Sequence, residues 1–249
     1  MKISVITVAF NAAQTIDATM RSVSTQTHPD IEYIVIDGGS TDGTQACIAS
    51  HASRLAHFVS EPDRGIYDAM NKGIRLASGT LVGILNADDV YADNTVLARV
   101  ARAVEEGSLD AVYGDVEFFA PENPDVTTRR YSSRCFSPGS LAWGWMPAHP
   151  ALFLRRELFE RYGHYRSDFR IAGDYELIAR FFKDGKLKYR YLSEILVRMS
   201  TGGVSTGGWR STLLLNCEVL RACRENGIPT NLFKLLSKYP LKALEFFRK

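Results

Sequence analysis

Ile3-Ser4-Val5-Ile6-Thr7-Val8-Ala9-Phe10 is β-branched and almost continuously apolar. That is the pattern of a strand buried on both faces of a parallel sheet. Working outward, residues 13–26 predict a helix, and Tyr33-Ile34-Val35-Ile36 predicts a second strand ending at Asp37-Gly38-Gly39-Ser40. The alternation continues with a helix from about Thr41, a short strand at Phe58-Val59, a helix over Ile66–Ala77 and a strand at Leu81-Val82-Gly83-Ile84-Leu85. Repeated β-α-β units predict an open α/β sheet, whose ligands lie beyond the carboxyl ends of its strands. After Asp110 the reading is less regular. Strands are expected at Ala111–Phe119 and Thr127–Tyr131 around the turn-like Pro121-Glu122-Asn123-Pro124, helices at Arg156–Arg161 and Tyr175–Lys183, and short strands at Leu187–Leu192 and Ile195–Met199. A glycine-rich loop, Gly202–Gly208, then leads to two C-terminal helices, so the expected organisation is an α/β domain over 1–208 and a helical extension over 209–249.

At roughly 100–200 residues per domain, 249 residues make one large domain or a domain with an appendage. The composition, 45% hydrophobic and 23% charged, is that of an ordinary globular protein. A net charge of +2 argues against a nucleic-acid partner. The charge is uneven: from Arg210 onward eight Lys and Arg face three Asp and Glu. Cys47, Cys135, Cys217 and Cys223 have neither zinc-ligand nor disulfide-framework spacing, which fits a reducing, cytoplasmic compartment. No leader and no membrane-spanning segment is expected.

Three short motifs carry chemistry. Asp37-Gly38-Gly39-Ser40-Thr41-Asp42-Gly43 ends a strand and opens a helix, so its amides suit a phosphate and Asp37 suits a base or ribose. The same residues also serve as a helix cap and turn. Asn86-Ala87-Asp88-Asp89 places carboxylates at the mouth of a buried strand, where a hard divalent cation would compensate them; the alternative is that Asp89 caps the next helix. In Gly173-Asp174-Tyr175-Glu176-Leu177, Asp174 opens a helix whose dipole favours its ionised form, as a general base requires, or simply caps it.

Taken together, these motifs resemble the inverting family 2 glycosyltransferases of the GT-A fold, closest to the branch serving bacterial exopolysaccharide, colanic acid and O-antigen. The likeness runs through Ser4–Asn11, Ile36–Thr44, Ser60-Glu61-Pro62-Asp63-Arg64-Gly65-Ile66-Tyr67-Asp68-Ala69-Met70-Asn71-Lys72-Gly73, Leu85–Asp89 and Asp174–Leu177, covering about residues 1–205. It implies a Rossmann-like, mostly parallel sheet flanked by helices, with a nucleotide-sugar donor along Thr7, Ala9, Asn11, Asp37, Arg64, Asn71, Lys72, Asn86, Ala87 and Asp88. Asp37 would meet the nucleobase, and Asp88 would hold the Mn²⁺ or Mg²⁺ that bridges the diphosphate. Asn86 stands where the family commonly has Asp, and Gly173 where it often has an acidic residue, leaving Asp174 alone as general base. One base without a second carboxylate nucleophile implies inversion of an α-linked donor to a β-linked product.

His149 and Trp145 fall where acceptor contacts are expected, while Tyr67 and Met70 read as core. The Gly202–Gly208 loop with Ser205 reads as a lid over the donor or as a plain linker. Lys234, Lys238 and Lys242 share a helical face with Leu and Phe around them, as in a helix lying on an anionic membrane surface or packed on its own domain. The acceptor implied is a glycan, polyprenyl-linked, and the location peripheral on the inner face of the cytoplasmic membrane. Two other readings compete: a nucleotidyltransferase, disfavoured because Asn11-Ala12-Ala13 is no basic phosphate loop, and a non-catalytic nucleotide-sugar-binding or scaffold subunit, disfavoured by Asp88 and Asp174.

Overall fold

The computed structural model describes residues 1–201 and 208–237. One sheet organises the chain. Its strands are β1 Ile3–Ala9, β2 Ile31–Asp37, β3 His57–Ser60, β4 Leu81–Asn86, β5 Val90–Tyr91, β6 Ala111–Ala120, β7 Asn123–Tyr131, β8 Leu152–Arg155 and β9 Tyr189–Ser200, in the order β3-β2-β1-β4-β8-β6-β9-β5 with β7 beside β6. The first half, β3-β2-β1-β4, is parallel as expected. Beyond β4 the sheet is mixed: β8 runs antiparallel to both its neighbours, while β6 and β9 pair in parallel.

The continuous apolar run of β1 has a direct cause. Ile6 and Val8 face one core, with Ile34 and Ile36 of β2 and Val82 and Ile84 of β4. Ile3, Val5 and Ala9 face the other, with Tyr33, Val35, Leu81 and Leu85. Alternate residues point to opposite faces of a strand, so a strand covered on both sides needs apolar residues at nearly every position.

The first face is covered by α3 (Ile66–Leu76), α5 (Arg156–Tyr162), α6 (Gly173–Phe182), α7 (Trp209–Glu225) and α8 (Leu232–Leu236). The second is covered by α1 (Ile16–Ser24), α2 (Thr44–Ser50) and α4 (Val96–Gly107). Tyr67, Met70 and Ile74 make the buried stripe of α3, and Leu97, Val100, Ala101 and Val104 that of α4, at helical spacing.

Several expectations are corrected. Phe10 lies outside β1 and is 68% exposed, because Asn11 turns the chain at φ 49°. The two short strands expected after Leu187 are one strand, β9, whose register against β6 shifts between Tyr191 and Ile195; the polar Ser193-Glu194 in that irregularity reads in sequence as a break. β5 and β8, two and four residues long, are too short to announce themselves. The described part of the C-terminal extension packs on the domain: Val219, Ala222 and Cys223 of α7 and Leu235 of α8 join the first-face cluster. Residues 202–207 and 238–249, which include Ser205 of the expected lid and Lys238 and Lys242 of the expected basic face, lie outside the described residues.

Candidate active site

Register aligns the motifs. Ala9 pairs with Asp37 and Val8 with Asn86, so the chain leaves β1, β2 and β4 at one level, along the carboxyl edge of the parallel strands. The loops there brace one another. The Asn11 N–H donates to Ser40 Oγ at 2.8 Å, the Thr41 N–H to Asn11 Oδ1 at 3.0 Å, and the Ala13 N–H to Asp42 Oδ2 at 3.0 Å, while Asp42 Oδ1 takes the Thr44 N–H that opens α2. Asn11 therefore shapes the loop, in a left-handed conformation that few residues besides Gly, Asn and Asp tolerate.

Asp37 is tied into its own loop. Its carboxylate is fully buried and accepts the N–H groups of Gly39 (3.2 Å) and Ser40 (3.0 Å), the Ser40 hydroxyl and the Ser60 hydroxyl (2.6 Å). Asp37 thus holds the glycine loop, with three of these donors on Oδ2 and one, the Ser40 hydroxyl, on Oδ1. Thr7 is likewise buried, its hydroxyl 3.1 Å from that of Tyr33, and Ala9 presents its carbonyl to the Gly38 N–H at 2.9 Å. Asn71 is buried too, exchanging two hydrogen bonds with the Tyr165 backbone at 2.8 and 2.9 Å, so it pins the 163–172 segment to α3. Lys72 is engaged by Asp63 Oδ1 at 2.5 Å and Glu61 Oε1 at 2.8 Å. Arg64 extends into solvent with a long contact to Asp68, 3.3 Å, and remains available to a phosphate.

At the end of β4, Ala87 is buried and Asp88 is partly exposed, with no hydrogen bond or ion pair to another described residue. Burial pushes the Asp88 carboxyl above the ordinary carboxylate range. Asp89 is no cap. It is 1% exposed, accepting the Asn86 side-chain N–H at 3.1 Å and the Ser200 N–H at 3.3 Å, and burial, then the Asp88 charge, raises it further still. The arrangement explains the Asn at 86: its amide donates to a buried carboxylate, which a second Asp would instead repel. Its Oδ1 is buried with no partner. An orphaned amide oxygen beside an unpaired carboxylate is an all-oxygen donor set, which fits a hard cation such as Mn²⁺ or Mg²⁺. Among the described residues no three His, Cys, Asp or Glu cluster as a metal cage, so such a cation would share its remaining positions with diphosphate and water.

Asp174 sits in the first turn of α6, whose cap position is Ala172. Its Oδ1 accepts the Tyr175 N–H at 2.8 Å and lies 3.4 Å from the Tyr67 hydroxyl, which donates to the Ile171 carbonyl at 2.6 Å. Burial raises the Asp174 carboxyl, opposed by nearby His149 and by these donors. His149 is buried against the Tyr165 hydroxyl, Nε2 to O 2.6 Å, and burial lowers its imidazole, opposed by the Asp174 charge. The Tyr165 and Tyr67 rings stack at 5.7 Å. Tyr67 opens α3, which follows β3 at the same carboxyl edge, so Asp174 faces the strand-end loops from the α3 side of the sheet. A side chain at Gly173 has no room: its Cβ would come 2.6 Å from the Tyr67 ring.

Trp145 stacks on Tyr131 at 6.4 Å. Tyr67 is core, as expected, but its hydroxyl and that of Tyr165 belong to the site; a tyrosine in an apolar stripe carries no sequence mark of where its hydroxyl ends. Ser200 went unseen for the same reason, being 111 residues from Asp89.

Known proteins bear on this geometry. A PGL/p-HBAD biosynthesis glycosyltransferase of Mycobacterium tuberculosis is 34% identical over 207 residues, 81% of this chain and 78% of that one. An uncharacterised glycosyltransferase of the same species is 36% identical over 181 residues, 72% and 68% of the two chains. Among solved structures, Staphylococcus aureus TarS 1–349 in complex with UDP-GlcNAc has a TM-score of 0.73 at 18% identity, covering 93% of this chain and 68% of that one. The chain spans 40% of a longer TarS chain. The Pyrobaculum calidifontis mannosyltransferase PcManGT, in complex with GDP-Man and Mn²⁺, has a TM-score of 0.64 at 21% identity over 88% of this chain and 64% of that one. These structures share the fold, the GT-A arrangement of a mixed sheet flanked by helices. The model described as "Glycosyl transferase family 2" matches residues 4–166, from β1 through the strand-end motifs to the segment that Asn71 pins, and the chain belongs to that family.

Proposed function

We propose that this glycosyltransferase moves a sugar from a nucleotide-sugar donor to a hydroxyl of a glycan acceptor, inverting the anomeric centre, with Asp174 as general base. The observation that carries the reading is the setting of Asp174: a carboxylate in the first turn of a helix, raised by burial, with no Lys or Arg among the described residues paired to it. Its Oδ1 is oriented by Tyr67 and the Tyr175 N–H, leaving Oδ2 for substrate. The acceptor O–H proton passes to Asp174 as the acceptor oxygen bonds to the anomeric carbon and the carbon–oxygen bond to the diphosphate breaks. Asp88 and the Asn86 carbonyl would hold Mn²⁺ or Mg²⁺, which when bound offsets the charge of the departing nucleoside diphosphate. The donors bound to the structural neighbours, UDP-GlcNAc and GDP-Man, support a nucleotide-sugar donor.

The acceptor we infer is lipid-linked and the enzyme peripheral on a cytoplasmic membrane face. Among the described residues no helix is long and apolar enough to cross a membrane. α8 nevertheless exposes Leu232, Phe233 and Leu236, and its Lys234 ammonium lies over the half-exposed Trp143 ring.

Thermal-shift measurements with UDP, GDP, dTDP and CDP, each with and without Mn²⁺, identify the base; a metal-assisted rise with one of them is expected. Asp174→Asn is expected to abolish turnover, keep nucleotide affinity and leave the melting temperature at pH 7 unchanged or higher. The sign follows from the raised carboxyl, whose charged form weakens the fold as pH climbs through its pKa. Nucleotide binding without turnover in the parent protein would favour the scaffold reading instead.

A further inference from the structure

We propose that Glu218, on α7, is a positioning residue for Asp174, so that the catalytic setting is completed by a helix outside the 4–166 stretch the family model matches. The proposal rests on reading Asp174 as the base. Glu218 is 7% exposed. Its Oε1 accepts the Arg170 N–H at 2.8 Å, and its Oε2 accepts those of Ile171 at 2.9 Å and Ala172 at 2.8 Å. Three consecutive amides, the last at the cap position of α6 two residues before Asp174, thus converge on one carboxylate.

The segment is held from the other side as well. The Ile171 carbonyl accepts the Tyr67 hydroxyl at 2.6 Å, and that hydroxyl is the one beside Asp174 Oδ1. Peptide 171 is therefore clamped between α7 and α3, and Asp174 hangs from the clamp.

A packing role does not account for a carboxylate here. Val219, Ala222 and Cys223 already anchor α7 in the core, and no Lys or Arg side chain among the described residues pairs with Glu218. A buried, cation-free carboxylate is expensive unless its hydrogen bonds repay the lost hydration. Here the three amides do so, and what they fix is the start of α6.

The test uses the full chain and three variants: Glu218→Gln, Val219→Ala as a packing control on the same helix, and Asp174→Asn. The Gln amide group must face at least one of the three N–H donors, so the clamp loosens while the side-chain volume is kept. In Glu218→Gln, at least one of the amides of Arg170, Ile171 and Ala172 is expected to exchange with deuterium about tenfold faster or more. Release of UDP from UDP-GlcNAc, or GDP from GDP-mannose, with Mn²⁺ should show kcat about 10- to 100-fold lower and KM for the donor within about twofold. Val219→Ala should lower the melting temperature with kcat nearly intact.

Unchanged exchange at all three amides, Arg170, Ile171 and Ala172, in Glu218→Gln overturns the proposal, and needs no knowledge of the donor. So does a kcat loss no greater than that of Val219→Ala. Turnover surviving in Asp174→Asn defeats the base reading itself, which is a separate failure.

Discussion

Tyr67 concentrates the chemistry of single residues in this site, because one hydroxyl serves both the Ile171 carbonyl and Asp174. The Tyr67 proton goes mainly to the Ile171 carbonyl and leans on Asp174 only at 3.4 Å, so Tyr67→Phe should move the acid limb of the pH–rate profile modestly to higher pH. The limb itself should lie above the ordinary aspartate range near 4, since burial raises Asp174 and a base works only when ionised. A kcat about tenfold lower, worth about 1.4 kcal/mol, is the expected size; an unmoved acid limb would show the hydroxyl to be irrelevant to the base. Asp88→Asn is expected to erase the Mn²⁺-dependent part of the nucleotide's thermal shift and cut turnover roughly 100-fold or more, with the metal-independent shift kept.

Elements are tied together at the opposite end of the sheet by Glu32 of β2. Its buried carboxylate accepts Ser4 Oγ of β1 at 2.5 Å and the Ser78 N–H at 2.7 Å and hydroxyl at 2.5 Å, with Lys2 Nζ at 3.1 Å. Burial opposes the charge, but the bonds from Ser4, Ser78 and Lys2 prevail and bring its pKa down to about 2. The folded pKa is depressed, so the stability Glu32 confers is complete above the unfolded value, about 4.3, and is lost as pH falls toward about 2. Glu32→Gln should therefore cost about 2–3 kcal/mol at pH 7. Denaturant titrations of both proteins at pH 7 and pH 3 check this, and a gap that fails to narrow in acid would contradict it.

For the molecule as a whole, the C-terminal helices serve two neighbours. Val219, Ala222, Cys223 and Glu218 turn inward, so a chain cut at Gly208 should lose core and unfold. Trp209 and Phe233, 73% and 79% exposed, turn outward. Flotation with vesicles containing anionic lipid should therefore compare the full chain with one ending at Ser237, which keeps α7 and α8 but drops the basic, apolar 238–249. The full chain is expected to partition several-fold more strongly, and less so at high salt. Equal partitioning would remove the tail from the membrane proposal.

Much of the fold was legible in residue order. The two-sided strand β1, the alternation of strands and helices through β4, and the motifs at Asp37, Asp88 and Asp174 are local patterns, set by periodicity and by the chemistry of neighbours in the chain. The individual roles were less so. Asp37, Thr7, Asn71 and Lys72 read in sequence as donor contacts, and the structure adds what each holds within the protein: its own loop, Tyr33, the Tyr165 backbone, and Asp63 and Glu61. Partners 26 and 94 positions away, as Thr7 and Asn71 have, leave no mark on local composition. The sequence alone determined the parallel half of the sheet, the edge where those strands end and the carboxylates available there. Only the tertiary structure decided which carboxylates are already satisfied and which are left for a ligand, because that depends on donors brought from distant segments, and it alone joined Glu218 to a loop 46 to 48 residues earlier.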